Sequence, residues 1–254
     1  MSDELVLECT DLRKTYPNGK EAVKGVSLAI RRGQTHGLVG ESGSGKSTVS
    51  RMALLLERPT SGTVRLLGTD LMSLSRDQLR KRRGTMQLVL QDPVAALNRS
   101  RSVGHAVELP LVLHSSMTKA ERAERVGELF DLVGLDREMA ARHPAELSGG
   151  QCQRIGIARA LALNPDLVVL DEAVSAIDVV MQAQILNLLR DLQARLGLTY
   201  LFVSHDLAVV KYMSHEMTVM RDGVVEEQGS GDLIFRTSTN AYTRELIDAV
   251  PTLS

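Results

Sequence analysis

Gly40-Glu41-Ser42-Gly43-Ser44-Gly45-Lys46-Ser47-Thr48 is the stretch that decides the fold. It fits the G-x-x-x-x-G-K-S/T pattern of a phosphate-binding loop in full. Upstream, Thr35-His36-Gly37-Leu38-Val39 reads as a buried strand running into the loop. Downstream, Thr48 to Leu56 has helical character and stops before Pro59. The glycines let backbone N–H groups turn inward around phosphates, and the following helix adds the positive end of its dipole. Lys46 can reach β- and γ-phosphates, and the Ser47 hydroxyl is placed to ligate Mg²⁺. The bland alternative is a glycine-rich turn that merely joins strand to helix. The flanking elements speak for a nucleotide site.

Working outward, short apolar runs alternate with longer periodic stretches, the pattern of an α/β fold. To about Ile30 the chain mixes strand-like pieces such as Leu5-Val6-Leu7 with the turn Pro17-Asn18-Gly19. Gly62 to Gly68 reads as a further strand. Residues near 95 to 165 read as a mostly helical insertion, in which Thr118 and Glu121 form a capping-box signal. The apolar spacing behind that cap persists until Gly134. Strands are expected at Leu167 to Leu170 and Leu198 to Val203, separated by a helix around Met181 to Leu196. The tail from Arg236 is polar, with a turn or two of helix near Tyr242 to Val250.

A second chemical signal is Leu167-Val168-Val169-Leu170-Asp171-Glu172, an apolar strand ending in two carboxylates. Beside a phosphate-binding loop, Asp171 suits a direct or water-mediated Mg²⁺ contact, and Glu172 is the candidate general base for an attacking water. A third is Leu147-Ser148-Gly149-Gly150-Gln151, where a serine and two glycines open a helix and make another anion-binding N-terminus. One nucleotide does not need two such cradles from one chain.

This third motif resembles the signature of the ATP-binding-cassette (ABC) ATPases, and Gln153 to Leu161 resembles the helix that follows it in that family. The resemblance implies an α/β P-loop NTPase fold with a RecA-like core, an antiparallel β subdomain and a helical insertion. It implies that residues 1–254 form a single nucleotide-binding domain. It also implies a dimer in which Ser148, Gly149, Gly150 and Gln151 close on the partner's loop-bound ATP. On the same resemblance, Tyr16 takes the place of the adenine-stacking aromatic. Gln91 takes that of the loop glutamine that senses Mg²⁺ or water and couples to a membrane partner. Asp178, in Ser175-Ala176-Ile177-Asp178, is the loop carboxylate that works across the dimer. His205, in Val203-Ser204-His205-Asp206, is the γ-phosphate histidine.

Three stretches look more narrowly like the peptide and nickel importer ATPases. They are Gln91 to Asn98, Val180 to Leu189, and the closing Ala241-Tyr242-Thr243-Arg244-Glu245-Leu246-Ile247. The resemblance therefore implies two membrane-spanning permease subunits and a second ABC ATPase as partners, with a heterodimer favoured over a homodimer. An extracytoplasmic solute-binding protein is implied indirectly. Two departures stand out. Ala173-Val174 replaces the family's usual Pro-Thr after Glu172, and Ile177 replaces the usual Leu before Asp178; neither removes a catalytic group. Many members of the subgroup continue into an extension, sometimes with an iron–sulfur-binding cysteine cluster, and no such cluster is expected here.

Composition narrows the alternatives. Thirty Lys+Arg against 31 Asp+Glu give a net charge of −1, without the basic excess of a general nucleic-acid binder. Aromatic residues are 3% and Trp is absent, which disfavours a single-strand stacking platform. Arg80-Lys81-Arg82-Arg83 reads as a solvated face. Cys9 and Cys152 cannot build a disulfide framework, and His36, His105, His114, His143 and His215 lack metal-ligand spacing. Met1-Ser2-Asp3-Glu4 is not followed by an apolar run, so no secretory signal is expected, and no stretch reaches the ~18 apolar residues of a membrane span. The resemblance sets the expectation: the ATP-hydrolysing subunit of an importer for peptides, or for a related solute such as nickel or a metal chelate, peripheral to the cytoplasmic face of the membrane. The rivals are a soluble ABC-type ATPase that remodels a cytoplasmic complex, and an idle regulatory cassette.

Overall fold

The computed structural model describes residues 4–175 and 177–250. Met1, Ser2 and Asp3, Ala176 of the Ser175–Asp178 motif, and the tail residues 251–254 lie outside the described residues. Two compact units result: one holds the chain up to Leu79 and again from Thr199, the other is Arg80–Leu198.

The first unit opens with two long strands, β1 (Leu5–Thr15) and β2 (Glu21–Arg31), paired antiparallel. With β4 (Ser61–Leu66) and β5 (Thr69–Asp70) they form an antiparallel sheet in the order β2-β1-β4-β5. The second layer is built on β3 (Thr35–Val39), every residue of which is buried. β3 pairs parallel with β8 (Thr199–Ser204) and with β9 (Glu216–Arg221), and β10 (Val224–Ser230) closes a hairpin with β9. Strands buried on both faces do not alternate between apolar and polar, which is why β3 and β8 show no period of two. Helix α1 (Lys46–Ala53) packs against β1, β2 and β8. The chain passes to the second unit along α2 (Arg76–Arg82).

The second unit carries two parallel strands, β6 (Met86–Val89) and β7 (Leu167–Asp171), with Met86 level with Leu167 and Val89 with Leu170. Its helices include α3 (Val103–His114), α4 (Lys119–Leu132), α5 (Gly149–Leu161) and α6 (Val179–Leu196). α4 starts at the expected capping box: the Glu121 N–H donates to Thr118 Oγ1 at 3.3 Å and the Thr118 N–H to the Glu121 carboxylate at 2.6 Å. α6 starts at Asp178 and ends at Gly197, whose left-handed φ of 67° stops the helix.

The first unit also contains α7 (Leu207–Met213), α8 (Gly231–Thr237) and α9 (Ala241–Asp248). Several expected boundaries move. The helix after the loop begins at Lys46 rather than Thr48, because Gly45 at φ 102° already stands at its N-cap, and it ends at Ala53. The strand read from Gly62 to Gly68 is β4, which stops at Leu66 because Leu67 and Gly68 take positive φ in a turn. The helix expected around Met181 begins two residues earlier, at Val179, behind the Asp178 cap. No described helix is long and apolar enough to cross a membrane.

Candidate functional site

β3 delivers the chain to Gly40, and the loop returns it into α1. Gly40, Gly43 and Gly45 have φ of 151°, 84° and 102°, a conformation that disfavours side chains. Space agrees with conformation at two of them. A Cβ on Gly40 would collide with the Met220 carbonyl, and one on Gly45 would lie 2.5 Å from the Ala22 carbonyl. Glu41, Ser42 and Gly43 form an exposed tip, while Ser44 and Lys46 are buried and Ser47 and Thr48 are half-buried. The Lys46 ammonium donates to the carbonyls of Gly40 at 2.7 Å and Glu41 at 2.8 Å, which folds it back across the loop. The Ser44 hydroxyl is buried and has no hydrogen-bond partner among the described residues. The N-cap of α1 is Gly45, which has no side chain to cap the helix. Such a helix start, with a cation held above it, suits an anion.

Two further candidate residues, His205 and Tyr16, belong to this unit. His205 follows directly on β8, whose last residue, Ser204, is level with Val39 on β3. It is therefore an exposed residue at the carboxyl ends of the same parallel strands as the loop, where α/β sheets place their ligands. Asp206 behind it caps α7, accepting from the N–H groups of Ala208 at 2.9 Å and Val209 at 3.2 Å. Tyr16 lies just past β1, half-buried, its hydroxyl donating to the Glu57 carboxylate at 3.2 Å. The Lys14 ammonium sits 5.4 Å from the centre of its ring.

The second unit holds the remaining positions. Asp171 ends β7 and is nearly buried at 8% exposure, while Glu172 follows in a left-handed conformation at φ 51°. That conformation costs a non-glycine residue on the order of 1–2 kcal/mol. The turn is held by Ser175, whose N–H and hydroxyl both donate to the Glu172 carbonyl, at 3.1 and 3.0 Å. Ala173 and Val174, in place of the usual Pro-Thr, are buried and apolar. Gln91 is exposed two residues beyond the end of β6, the strand whose last residue, Val89, is level with Leu170 on β7. The Arg159 guanidinium from α5 fastens the segment after it by donating to the Ala96 carbonyl at 2.8 Å.

The signature motif forms the start of α5. Ser148 and Gln151 make a reciprocal capping box: the Gln151 N–H donates to Ser148 Oγ at 3.2 Å and the Ser148 N–H to Gln151 Oε1 at 2.9 Å. Gly149 is exposed, with open space where a Cβ would be. Gly150 is buried, and a Cβ there would collide with the terminal methyl of Met181. Asp178 caps α6 by accepting from the Met181 N–H at 2.9 Å. Asp178 thus holds the helix that carries Met181 onto the signature glycine. Sequence reading gave Met181 no part in the signature, since nothing in a helical Met announces a contact with a glycine 31 positions earlier. An Asp three residues before an N–H is, by contrast, a readable cap.

The family model described as ABC transporter matches residues 23–175. The chain is 52% identical over 230 residues to the oligopeptide transport ATP-binding protein OppD of Mycobacterium bovis, covering 91% of this chain. It spans only 37% of that relative's length. It is 43% identical over 258 residues to the dipeptide transport ATP-binding protein DppF of Escherichia coli, covering 98% of this chain and 77% of that one. Among solved structures, the dimeric ATP-binding cassette MJ0796 in a post-hydrolysis state, bound to ADP and Pi, superposes with a TM-score of 0.79. The sequences are 33% identical, and the match covers 88% of this chain and 98% of that one.

Proposed function

The chain belongs to the ABC transporter family, and from that premise we propose that it is the ATP-hydrolysing, nucleotide-binding subunit of a peptide importer. The observation that carries the reading is the loop of Gly40 to Thr48. It has left-handed glycines, a helix start without a side-chain cap and a lysine folded across it, arranged for a polyphosphate. The names of the peptide-transport relatives support the direction and the solute class.

In this reading residues 1–254 act as one nucleotide-binding domain. Backbone N–H groups of the loop and the Lys46 ammonium bind and orient the phosphates, and Tyr16 stacks on the adenine. Ser47 offers a hydroxyl, Gln91 an amide carbonyl and Asp171 a carboxylate, each an oxygen donor of the kind Mg²⁺ takes. When bound, that ion neutralises charge developing on the transferred phosphoryl group. Glu172 accepts a proton from the attacking water, and His205 contacts the γ-phosphate. Ser148, Gly149, Gly150 and Gln151 present the start of α5 to a nucleotide on a second ATPase subunit, with Asp178 at the same interface. Positioning and electrostatics supply most of the acceleration.

The partners of this reading are two permease subunits and a sister ATPase, a heterodimer being favoured, at the cytoplasmic face of the membrane. A tagged pull-down from detergent-solubilised native membranes tests it. Recovery of two multi-span subunits is expected. Capture of cytoplasmic partners alone would transfer the reading to a complex-remodelling ATPase.

A further inference from the structure

The phosphate loop is gripped from outside by the carboxy-terminal part of its own unit. At the end of β9 the Met220 carbonyl fills the space beside Gly40, and in the next turn the Gly223 N–H donates to the Ser44 carbonyl at 3.0 Å. A third grip comes from α9. The Tyr242 hydroxyl accepts the Glu41 N–H at 3.1 Å. That N–H and the Gly40 carbonyl belong to one peptide unit, and the carbonyl accepts from Lys46 Nζ at 2.7 Å. The Gly40–Glu41 peptide is therefore held at both edges, by Tyr242 on one side and by the loop lysine on the other.

Tyr242 is itself fixed. It is 4% exposed, and the Arg221 guanidinium lies 4.8 Å from the centre of its ring. The helix that carries it is tied to β10. Asn240 caps α9 by accepting from the Thr243 N–H at 3.0 Å, and its Nδ2 donates to the Glu226 carbonyl at 3.3 Å and carboxylate at 3.2 Å. Two residues earlier, the Ser238 hydroxyl donates to the Glu227 carboxylate at 2.6 Å. The approach to α9 is thus pinned at two successive carboxylates of one strand.

We infer that Tyr242 is a positioning residue for the phosphate loop: its hydroxyl fixes the Gly40–Glu41 peptide, and through it the Lys46 ammonium, so that α9 and nucleotide affinity are coupled. The inference rests on the nucleotide reading of the loop given above. Because coupling of this kind is reciprocal, nucleotide in the loop must also steady α9.

The test uses the full chain and its Tyr242→Phe variant, which keeps the ring and loses only the hydroxyl. ATP affinity is measured on the single chain by titration calorimetry, and hydrolysis by the assembled ATPase is resolved into kcat and KM. Loss of one hydrogen bond predicts about three- to tenfold weaker ATP binding and a matching rise in KM, with kcat within about twofold. Melting without nucleotide should fall by about 2–4 °C, the worth of one hydrogen bond, whereas a merely structural role would leave ATP affinity unmoved. In hydrogen exchange, ATP should slow the amides of α9 in the wild type and fail to do so in the variant. Unchanged affinity together with unchanged protection of α9 would overturn the inference alone. Failure of the wild type to bind ATP any better than Lys46→Ala would overturn the nucleotide reading, and this inference with it.

Discussion

The starts of α1 and α5 both look like anion sites, yet they are built differently. α1 opens on a left-handed glycine with no side-chain cap, and its loop is braced by Ala22, Met220, Gly223 and Tyr242. α5 opens on a Ser148–Gln151 capping box that already satisfies one of its donors, with Gly149 exposed and Met181 packed on Gly150. A braced start without a side-chain cap can hold a polyphosphate within one chain. A capped, exposed start offers fewer donors and suits a site completed by another subunit. Under the proposed function, the two glycine-rich motifs divide binding from closure.

The largest effect that would break this division is at the carboxylate beyond β7. Glu172→Gln should leave ATP affinity near the wild-type value and lower hydrolysis by about 10²–10⁴-fold, the usual worth of a general base. Binding by calorimetry and turnover by phosphate release check it together. Wild-type turnover would remove Glu172 from the base role.

Next comes the strand under the loop. His36 is 2% exposed on β3, its Nε2 sharing a 2.8 Å hydrogen bond with Thr218 Oγ1. Burial pushes its pKa down from 6.5 to about 4, with the Ala29 backbone working the other way. The unfolded chain therefore binds the proton more readily. The stability tied to neutral His36 is fully present above pH 6.5 and is lost as pH falls from 6.5 toward 4. Its size is about 3 kcal/mol. Denaturant titrations at a series of pH values should show this slope, and His36→Gln should flatten it.

A smaller effect sharpens the α5 side. Gly150→Val must displace Met181, and overpacking of this kind costs about 1–3 kcal/mol. Hydrolysis by the assembled ATPase should fall while ATP affinity of the single chain stays unchanged, and the two assays run side by side check this. Smallest is Ser148→Ala, which removes the cap of α5 and should cost about 1 kcal/mol in thermal unfolding.

Much of this was legible before the structure, where the signal is local. The loop sequence placed β3 and α1, and the Thr118–Glu121 pair placed the start of α4. Other elements were illegible for physical reasons. β10 reads Val-Val-Glu-Glu-Gln-Gly-Ser, a hairpin strand with no buried residue and hence no apolar alternation to find. The contacts of Met181 with Gly150 and of Tyr242 with Glu41 join residues far apart in sequence, so no spacing encodes them. The motifs supplied the groups, and the long-range packing supplied what holds them.

The most direct test of the division between the two helix starts is ATP titration into the single chain for wild type, Lys46→Ala and Ser148→Arg. Lys46→Ala should abolish measurable binding, whereas Ser148→Arg should bind as wild type and lose hydrolysis in the assembled ATPase. Loss of single-chain binding in Ser148→Arg to the same extent as in Lys46→Ala would contradict that division.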